Sequence, residues 1–418
     1  MRKLRYVLLL CLAIVLSGCS NTNPFYNKQD ISSNSYLANQ INDDEFDLNY
    51  ANPVIIMQKS QELGLTKKFY FQQLNDKEKY AYIQIVEGFE NYQSNIKINK
   101  VSDESILKVR QALTLDNPKY FWSRNLKQIK TLDNEYLEMV YDIPNNAKDT
   151  KEEIESIADN VIKNMPNGSD YDKVKYLYEY VITNTEYNEQ ASNNQDIRSV
   201  FLTQSSVCMG YSLSFEYLAD KAGIESFLAV GKFTNSTLQS DMESSGFDFH
   251  AWNGVKINGN YYWVDTTWGD TAMDHPEIKF SENPIDYSYL CVTDDVINRS
   301  RQLDNNLDSY FNYHIETSQG IWQFPQFTDS SLDYYKRQGQ TLDTFDSNQF
   351  NNYIINQIDS GKTVIELAFS NEANYKAALN YLNTNNISQL LADHYQTRIA
   401  TRWIYQNYSY RINLEVTK

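Results

Sequence analysis

Phe249-His250-Ala251-Trp252-Asn253-Gly254-Val255-Lys256-Ile257-Asn258-Gly259-Asn260-Tyr261-Tyr262-Trp263-Val264-Asp265-Thr266-Thr267 is the stretch on which the fold turns. Residues 250–257 alternate as a half-buried strand does, Asn258-Gly259 is the strongest short signal for a hairpin turn, and residues 260–267 return as a second strand. A two-residue turn at Asn258-Gly259 pairs Ile257 with Asn260. Counting back, Trp252 faces Asp265 and His250 faces Thr267. His250 and Asp265 are then diagonal neighbours on one face, about 7–8 Å apart at the backbone and within side-chain reach. A slip of one residue would send them to opposite faces.

Upstream, Ser205-Ser206-Val207-Cys208-Met209-Gly210-Tyr211 leads into a helical segment through Leu213, Tyr217, Leu218 and Ala222, with Gly223 just past its end as a helix C-cap. Cys208 sits at the helix start, where the positive end of the dipole stabilises a thiolate. Gly210 allows another part of the chain to approach the first turn closely. A Cys in this position can equally be a structural thiol packed under a helix end, because unpaired Cys is often buried.

Cys208, His250 and Asp265, in that order, are the parts of nucleophilic acyl transfer. A thiolate attacks a carbonyl, an imidazole accepts and returns a proton, and a carboxylate fixes the ring tautomer and stabilises the imidazolium. Taken singly, each has an ordinary alternative: a strand His is commonly a core or surface residue, and an Asp before Thr266-Thr267-Trp268-Gly269 can simply open a turn. The conjunction is what carries the reading.

Val207-Cys208-Met209-Gly210-Tyr211, Phe249-His250-Ala251-Trp252-Asn253 and Tyr262-Trp263-Val264-Asp265-Thr266-Thr267-Trp268 resemble the three core motifs of the transglutaminase-like superfamily. The resemblance spans about residues 150–300, including a helix ending in Thr185-Glu186-Tyr187. It is similar in particular to bacterial cytokinesis-type transglutaminase/protease-like proteins. It implies an α+β, papain-like core, with a Cys-bearing helix packed on an antiparallel sheet. It also implies Cys208 as nucleophile, His250 as base and Asp265 as third member. Members of the family differ in reaction: cross-linking, deamidation, peptide hydrolysis, or none known. Besides the Cys208 amide, Gln204 is a weak candidate oxyanion donor. Trp252, Trp268 and Tyr211 could wall the cleft, although aromatics beside a hairpin are core residues at least as often.

The ends and composition bear on location. Arg2, Lys3 and Arg5 precede the apolar run 6–16, which is shorter than the roughly 20 residues of a spanning helix and reads as a secretion signal. Leu16-Ser17-Gly18-Cys19 resembles a bacterial lipobox, which implies a lipidated Cys19 and a protein held on the outer face of the cell membrane. Loss of residues 1–18 moves the formal charge from −17 to −20. Such an acidic surface repels nucleic acid and argues against polyanionic substrates. With Cys11 in the signal and Cys19 as anchor, Cys208 and Cys291 remain. They could form one disulfide, or be one reactive thiol and one buried thiol. The setting of Cys208 favours the second, with Cys291 inert in an apolar strand.

The expected organisation is a signal peptide (1–18), a lipidated polar tether (19–50), an N-terminal α+β module (51–149), the transglutaminase-like domain (150–300) and a C-terminal α+β module (314–418). Helices are expected at 76–90 and 104–113, and a strand at 136–143. Another helix begins near Thr150 and is stopped by Pro166-Asn167-Gly168, and Ser169 or Asp170 caps the next. Strands at 363–369 and 409–416 flank a helix at 373–382. His275, His314 and His394 lack zinc spacing, and Asp270, Asp274, Asp294 and Asp295 form no EF-hand, so no metal or cofactor is expected. The resulting expectation is a membrane-anchored extracellular thiol acyl-transfer enzyme acting on peptides, proteins or cell-wall peptides. The alternative is a non-catalytic binding or scaffold lipoprotein that keeps the fold.

Overall fold

The computed structural model describes residues 52–233, 248–270, 285–311 and 321–417. The signal, Cys19 and the tether lie outside the described residues, as do His275, His314 and Asp274.

Three helices open the described chain: α1 (Pro53–Glu62), α2 (Phe69–Gln72) and α3 (Asp76–Glu90). The α3 span coincides with the apolar periodicity at 76–90. Its start is fixed by a capping box in which Asn75 accepts from the Glu78 amide and Glu78 accepts from the Asn75 amide. Strands β1 (Asn95–Asn99), β2 (Leu126–Thr131) and β3 (Tyr136–Tyr141) form a sheet of order β1-β3-β2, with α4 (Asp103–Asp116) between β1 and β2. Helices α5 (Ala147–Asn164) and α6 (Asp170–Thr183) follow. Ser169 caps α6 through a second capping box with Asp172. The α6 helix stops at Thr183, and Glu186–Tyr187 forms a short strand, β4, instead of the helix end expected there. After α7 (Arg198–Phe201), strand β5 (Ser205–Ser206) runs parallel to β4 and delivers the chain to α8 (Cys208–Lys221).

The central sheet is antiparallel, with order β10-β6-β7-β8-β9: β6 is Glu225–Phe233, β7 Asp248–Ile257, β8 Asn260–Val264, β9 Leu290–Val292 and β10 Arg301–Leu303. Helix α8 lies across β6 and β7, with α6 against its other side. This is the transglutaminase-like, papain-like α+β architecture: a Cys-bearing helix on an antiparallel sheet. Ile257 pairs with Asn260 as the sequence demands. Asn258 and Gly259 take φ of 51° and 86°, the left-handed pair that a tight hairpin with right-handed twist requires.

A continuous apolar core runs from Ile56 through Tyr335, so the first helices pack into the same interior as α8 and the central sheet. A second core joins Phe350, Ile354, Leu367, Leu391, Ile412 and Leu414. It lies between α9 (Ser347–Asp359), α10 (Glu372–Thr384), α11 (Ile387–Tyr395) and a sheet of order β11-β12-β14-β13 (β11 Thr341–Leu342, β12 Val364–Phe369, β13 Ala400–Gln406, β14 Arg411–Thr417). Strands β12 and β14 and helix α10 match the expected elements closely. Among the described residues no helix is long and apolar enough to cross a membrane.

Candidate active site

Cys208 is the first residue of α8, after Val207 in extended conformation as N-cap. The N-cap residue Val207 makes no side-chain cap hydrogen bond at this end. Gly210 explains how the turn fits into the fold. A Cβ there would stand 2.0 Å from Ser206 Oγ and 2.5 Å from Ser199 Oγ, two hydroxyls that are hydrogen-bonded to each other at 2.7 Å. The close approach expected from the sequence is therefore made by α7 and β5.

Helix α8 is fastened to β7 one turn below Cys208. Ser212, four residues on and on the same helix face, donates its hydroxyl to the Ala251 carbonyl at 3.0 Å, and the Asn253 side chain donates to the Ser212 carbonyl at 3.0 Å. Both bonds are buried, and Ala251 directly follows His250. Tyr310 stacks its ring on Phe249, with 5.9 Å between centroids, beside His250 in β7. The start of α8 and the His250 end of β7 therefore meet.

His250 and Asp265 are in direct contact: His250 Nε2 lies 2.7 Å from Asp265 Oδ2. Pairing of β7 with β8 ends at Asn253–Val264, so the expected pairs Trp252–Asp265 and His250–Thr267 do not form: the chain leaves the strand at Asp265 and turns over 266–269, and His250 meets Asp265 through its side chain. The imidazole is held against Trp252, with ring centroids 5.8 Å apart and planes 18° apart. Asp265 is completely buried. Burial alone would raise its carboxyl pKa, but the charges of His250 and Arg301 and hydrogen bonds from His250 and the Trp268 amide outweigh it, and the group falls to about 2. An ionised carboxylate only accepts hydrogen bonds, so Nε2 carries the proton and donates.

Arg301 was not singled out in the sequence. Its Nε and Nη2 donate to Asp265 Oδ2 at 2.9 and 2.5 Å, and its Nη1 to Ser300 Oγ at 2.7 Å. It is fully buried, with the guanidinium 4.3 Å from the Tyr289 ring centroid. The Trp268 amide donates to Asp265 Oδ1 at 3.1 Å. Asp265 Oδ2 therefore receives one histidine and two arginine N–H groups, and Oδ1 a backbone N–H. Ser212 and Asn253 were also missed. A hydroxyl one turn after the Cys in an apolar helix, and an amide at an inward strand position beside the His, are the signals that point to them. Arg301 carries none, because its strand is three residues long.

Of the other candidates, Trp252 and Tyr211 are interior side chains, and Trp268 is half-buried. Tyr211 donates to the Thr185 carbonyl and to Asp270 Oδ2, each at 2.9 Å, and so ties α8 to the chain before β4. Trp268 contacts Phe233 and Tyr289, and also Tyr408 of the β13–β14 turn. Gln204 is exposed with φ of 52°, and its carbonyl accepts from the Glu186 amide. Cys291 is buried in β9, where burial pushes its thiol pKa far up, and no disulfide joins it to Cys208. Among the described residues no group of three or more His, Cys, Asp and Glu could hold a metal ion.

Comparison with known proteins places this geometry. Residues 155–267 match the family model of the transglutaminase-like superfamily. The kyphoscoliosis peptidase of Mus musculus is 29% identical over 118 residues, which cover 27% of this chain and 18% of that protein. That of Homo sapiens is 25% identical over 177 residues, covering 41% of this chain and 26% of that one. The matched region thus spans about a quarter or less of these relatives' length. Among solved structures, that of a TGase is 16% identical and covers 45% of this chain and 52% of its own, with a TM-score of 0.25. The periplasmic domain of TgpA from Pseudomonas aeruginosa is 16% identical and covers 34% and 55%, with a TM-score of 0.23. The family-model match and the curated relatives support an enzyme of thiol type. The chain carries a transglutaminase-like domain over residues 155–267.

Proposed function

We propose that Cys208, His250 and Asp265 form a thiol acyl-transfer site acting on glutamine or peptide carbonyls, and that Cys19 anchors the protein by lipid to the outer face of the cell membrane. The observation that carries the catalytic reading is the 2.7 Å contact between His250 and a buried, ionised Asp265, next to the helix that starts at Cys208. In this reading His250 Nδ1 takes the thiol proton and Asp265 stabilises the imidazolium. The thiolate attacks the carbonyl carbon, the C–N bond breaks, and the imidazolium gives its proton to the departing ammonia or amine. Water or a primary amine then attacks the thioester carbonyl, yielding a carboxylate or a new amide and restoring the thiol. Cell-surface proteins and wall peptides are the substrates that the membrane location offers.

The test is incubation of the full chain with glutamine-containing peptides and wall peptides, with and without a primary amine, read by mass spectrometry. Ammonia or amine release that disappears in Cys208→Ser supports the proposal. Turnover that persists in Cys208→Ser overturns it. The competing reading, a binding or scaffold lipoprotein, draws on one observation: Cys208 and His250 are only 1% and 4% exposed. Tight peptide binding without turnover would favour it.

A further inference from the structure

We infer that Arg301 is a positioning residue of this site: it locks the Asp265 carboxylate in place and offsets its charge, and so limits how tightly His250 holds its second proton. The inference rests on the reading of Cys208, His250 and Asp265 as a catalytic set and adds what regulates their working pH.

Arg301 is held by Asp265, Ser300 and the Tyr289 side chain. Two of its nitrogens converge on Asp265 Oδ2, the oxygen that also accepts from His250 Nε2. Its third nitrogen is taken by Ser300 Oγ, and its position is set from β10, where Arg301 pairs with Phe233 of β6. The His250 ring lies 6.0 Å from the Phe233 ring. Two N–H donors of one rigid guanidinium converging on the same oxygen orient a carboxylate in a way that a single point charge does not. The titratable and charged groups around Asp265 are His250 from β7, Arg301 from β10, Tyr289 from the turn before β9, and Tyr178 from α6. Both tyrosine hydroxyls are raised by burial and stay neutral through the physiological range; Asp286, whose backbone carbonyl accepts from the Tyr178 hydroxyl at 2.6 Å, acts on both tyrosines more strongly than Asp265 does. Arg301 is therefore the fixed positive charge next to the carboxylate on which the imidazolium depends.

A carboxylate with only His250 as counter-charge would hold the imidazolium proton strongly, because releasing it would strand a buried negative charge. With Arg301 in place, Asp265 stays neutralised after His250 loses its proton. Without Arg301 the proton on His250 would be held more tightly. An interaction over a few ångströms at an effective dielectric of about 20 is large enough to move such a proton by about one pH unit or more.

The experiment is a direct titration of His250 by nitrogen NMR in the 15N-histidine-labelled full chain. It has four histidines, and a His250→Gln variant assigns the signal. In Arg301→Gln the His250 midpoint is expected to rise by about one unit or more, with the other histidine signals unmoved. An unchanged or lowered midpoint in folded protein overturns the inference. Should Arg301→Gln fail to fold, Arg301→Lys carries the test. It keeps the charge and loses the fork, so the midpoint should stay within about half a unit while alkylation of Cys208 slows at least threefold. Alkylation at the parental rate overturns the inference. Failure of the catalytic reading is separately visible as a Cys208 in the parent chain that reacts like an ordinary thiol, whatever the His250 midpoint does.

Discussion

The hydroxyl of Ser212 donates to the carbonyl of Ala251 across 3.0 Å of buried interior, and this bond fastens the helix that begins at Cys208 to the strand that carries His250. The neighbouring bond from Asn253 to the Ser212 carbonyl makes the tie reciprocal. Ser212→Ala removes the donor and leaves Ala251 with one partner fewer, at about 1 kcal/mol in stability. Displacement of the Cys208 turn by even a fraction of an ångström acts more strongly on chemistry than on folding. The expected outcome is a small fall in Tm together with a drop of about tenfold in the second-order alkylation rate of Cys208 at pH 7. Equal rates in parent and variant would show that the tie does not hold the site.

Gly210→Ala addresses the other side of the same turn. The added methyl would fall 2.0 Å from Ser206 Oγ and 2.5 Å from Ser199 Oγ, with the Asn194 carbonyl oxygen at 3.1 Å behind them. Those hydroxyls are buried and bonded to each other, so relief requires β5 or α7 to move. Overpacking of this kind is expected to lower stability by about 1–3 kcal/mol, measured by denaturant unfolding. Gly223→Ala meets no contact but sits at φ of 77°, so it is strained by backbone conformation alone and should cost about 1 kcal/mol.

Farther along α8, Glu216 is fully buried, with one carboxyl oxygen lacking a hydrogen-bond partner. Burial pushes its pKa well above the usual carboxylate range; Lys68 pulls it down, and Asp116 and Asp220 push it up. Asp116 is itself raised by burial to about 7. An acid with a raised folded-state pKa binds its proton more tightly in the folded chain than in the unfolded one. Stability contributed by such a group is therefore greatest at low pH and falls as pH climbs from the unfolded value through the folded one. The chain is expected to lose thermal stability between pH 5 and pH 8. In Glu216→Gln this loss should shrink, with the Tm difference from the parent growing in the variant's favour by roughly 2–4 °C over that interval. Parallel Tm curves for parent and variant would contradict the assignment.

The parts of the site carried by short-range rules were legible in the sequence. Asn258-Gly259 fixes the hairpin register by backbone sterics alone, and that register returns the chain toward the His250 end of β7, although pairing stops at Asn253–Val264, short of Asp265. Gly223 and the Ser169 capping box mark helix ends for the same local reason. Elements whose stability comes from distant packing were hidden. Helix α9 reads as an Asn-rich segment of weak helix propensity, yet Phe350, Ile354 and Ile358 recur every fourth residue and bury against β12 and β14. Strand β13 has few inward apolar positions and is held by its pairing with β14. Arg301 lies 36 residues beyond Asp265 on a three-residue strand, and only the folded sheet brings the two together.

The proposed anchor makes its own prediction. Cells expressing the chain and fed a labelled fatty acid should incorporate label into it, and Cys19→Ala should abolish incorporation and release the protein from the membrane fraction. Equal labelling of parent and variant would overturn the assignment of Cys19.

The most direct test of the central claim is the pH dependence of Cys208 alkylation by iodoacetamide in the full chain. A thiolate held by His250 at the start of α8 should react at pH 6 to 7, well below the unperturbed thiol value of about 8.5. His250→Ala should move that reactivity back toward the ordinary value, with Cys291 unlabelled in both proteins. A Cys208 whose labelling follows the ordinary thiol value in the parent, or is unmoved by His250→Ala, would contradict it.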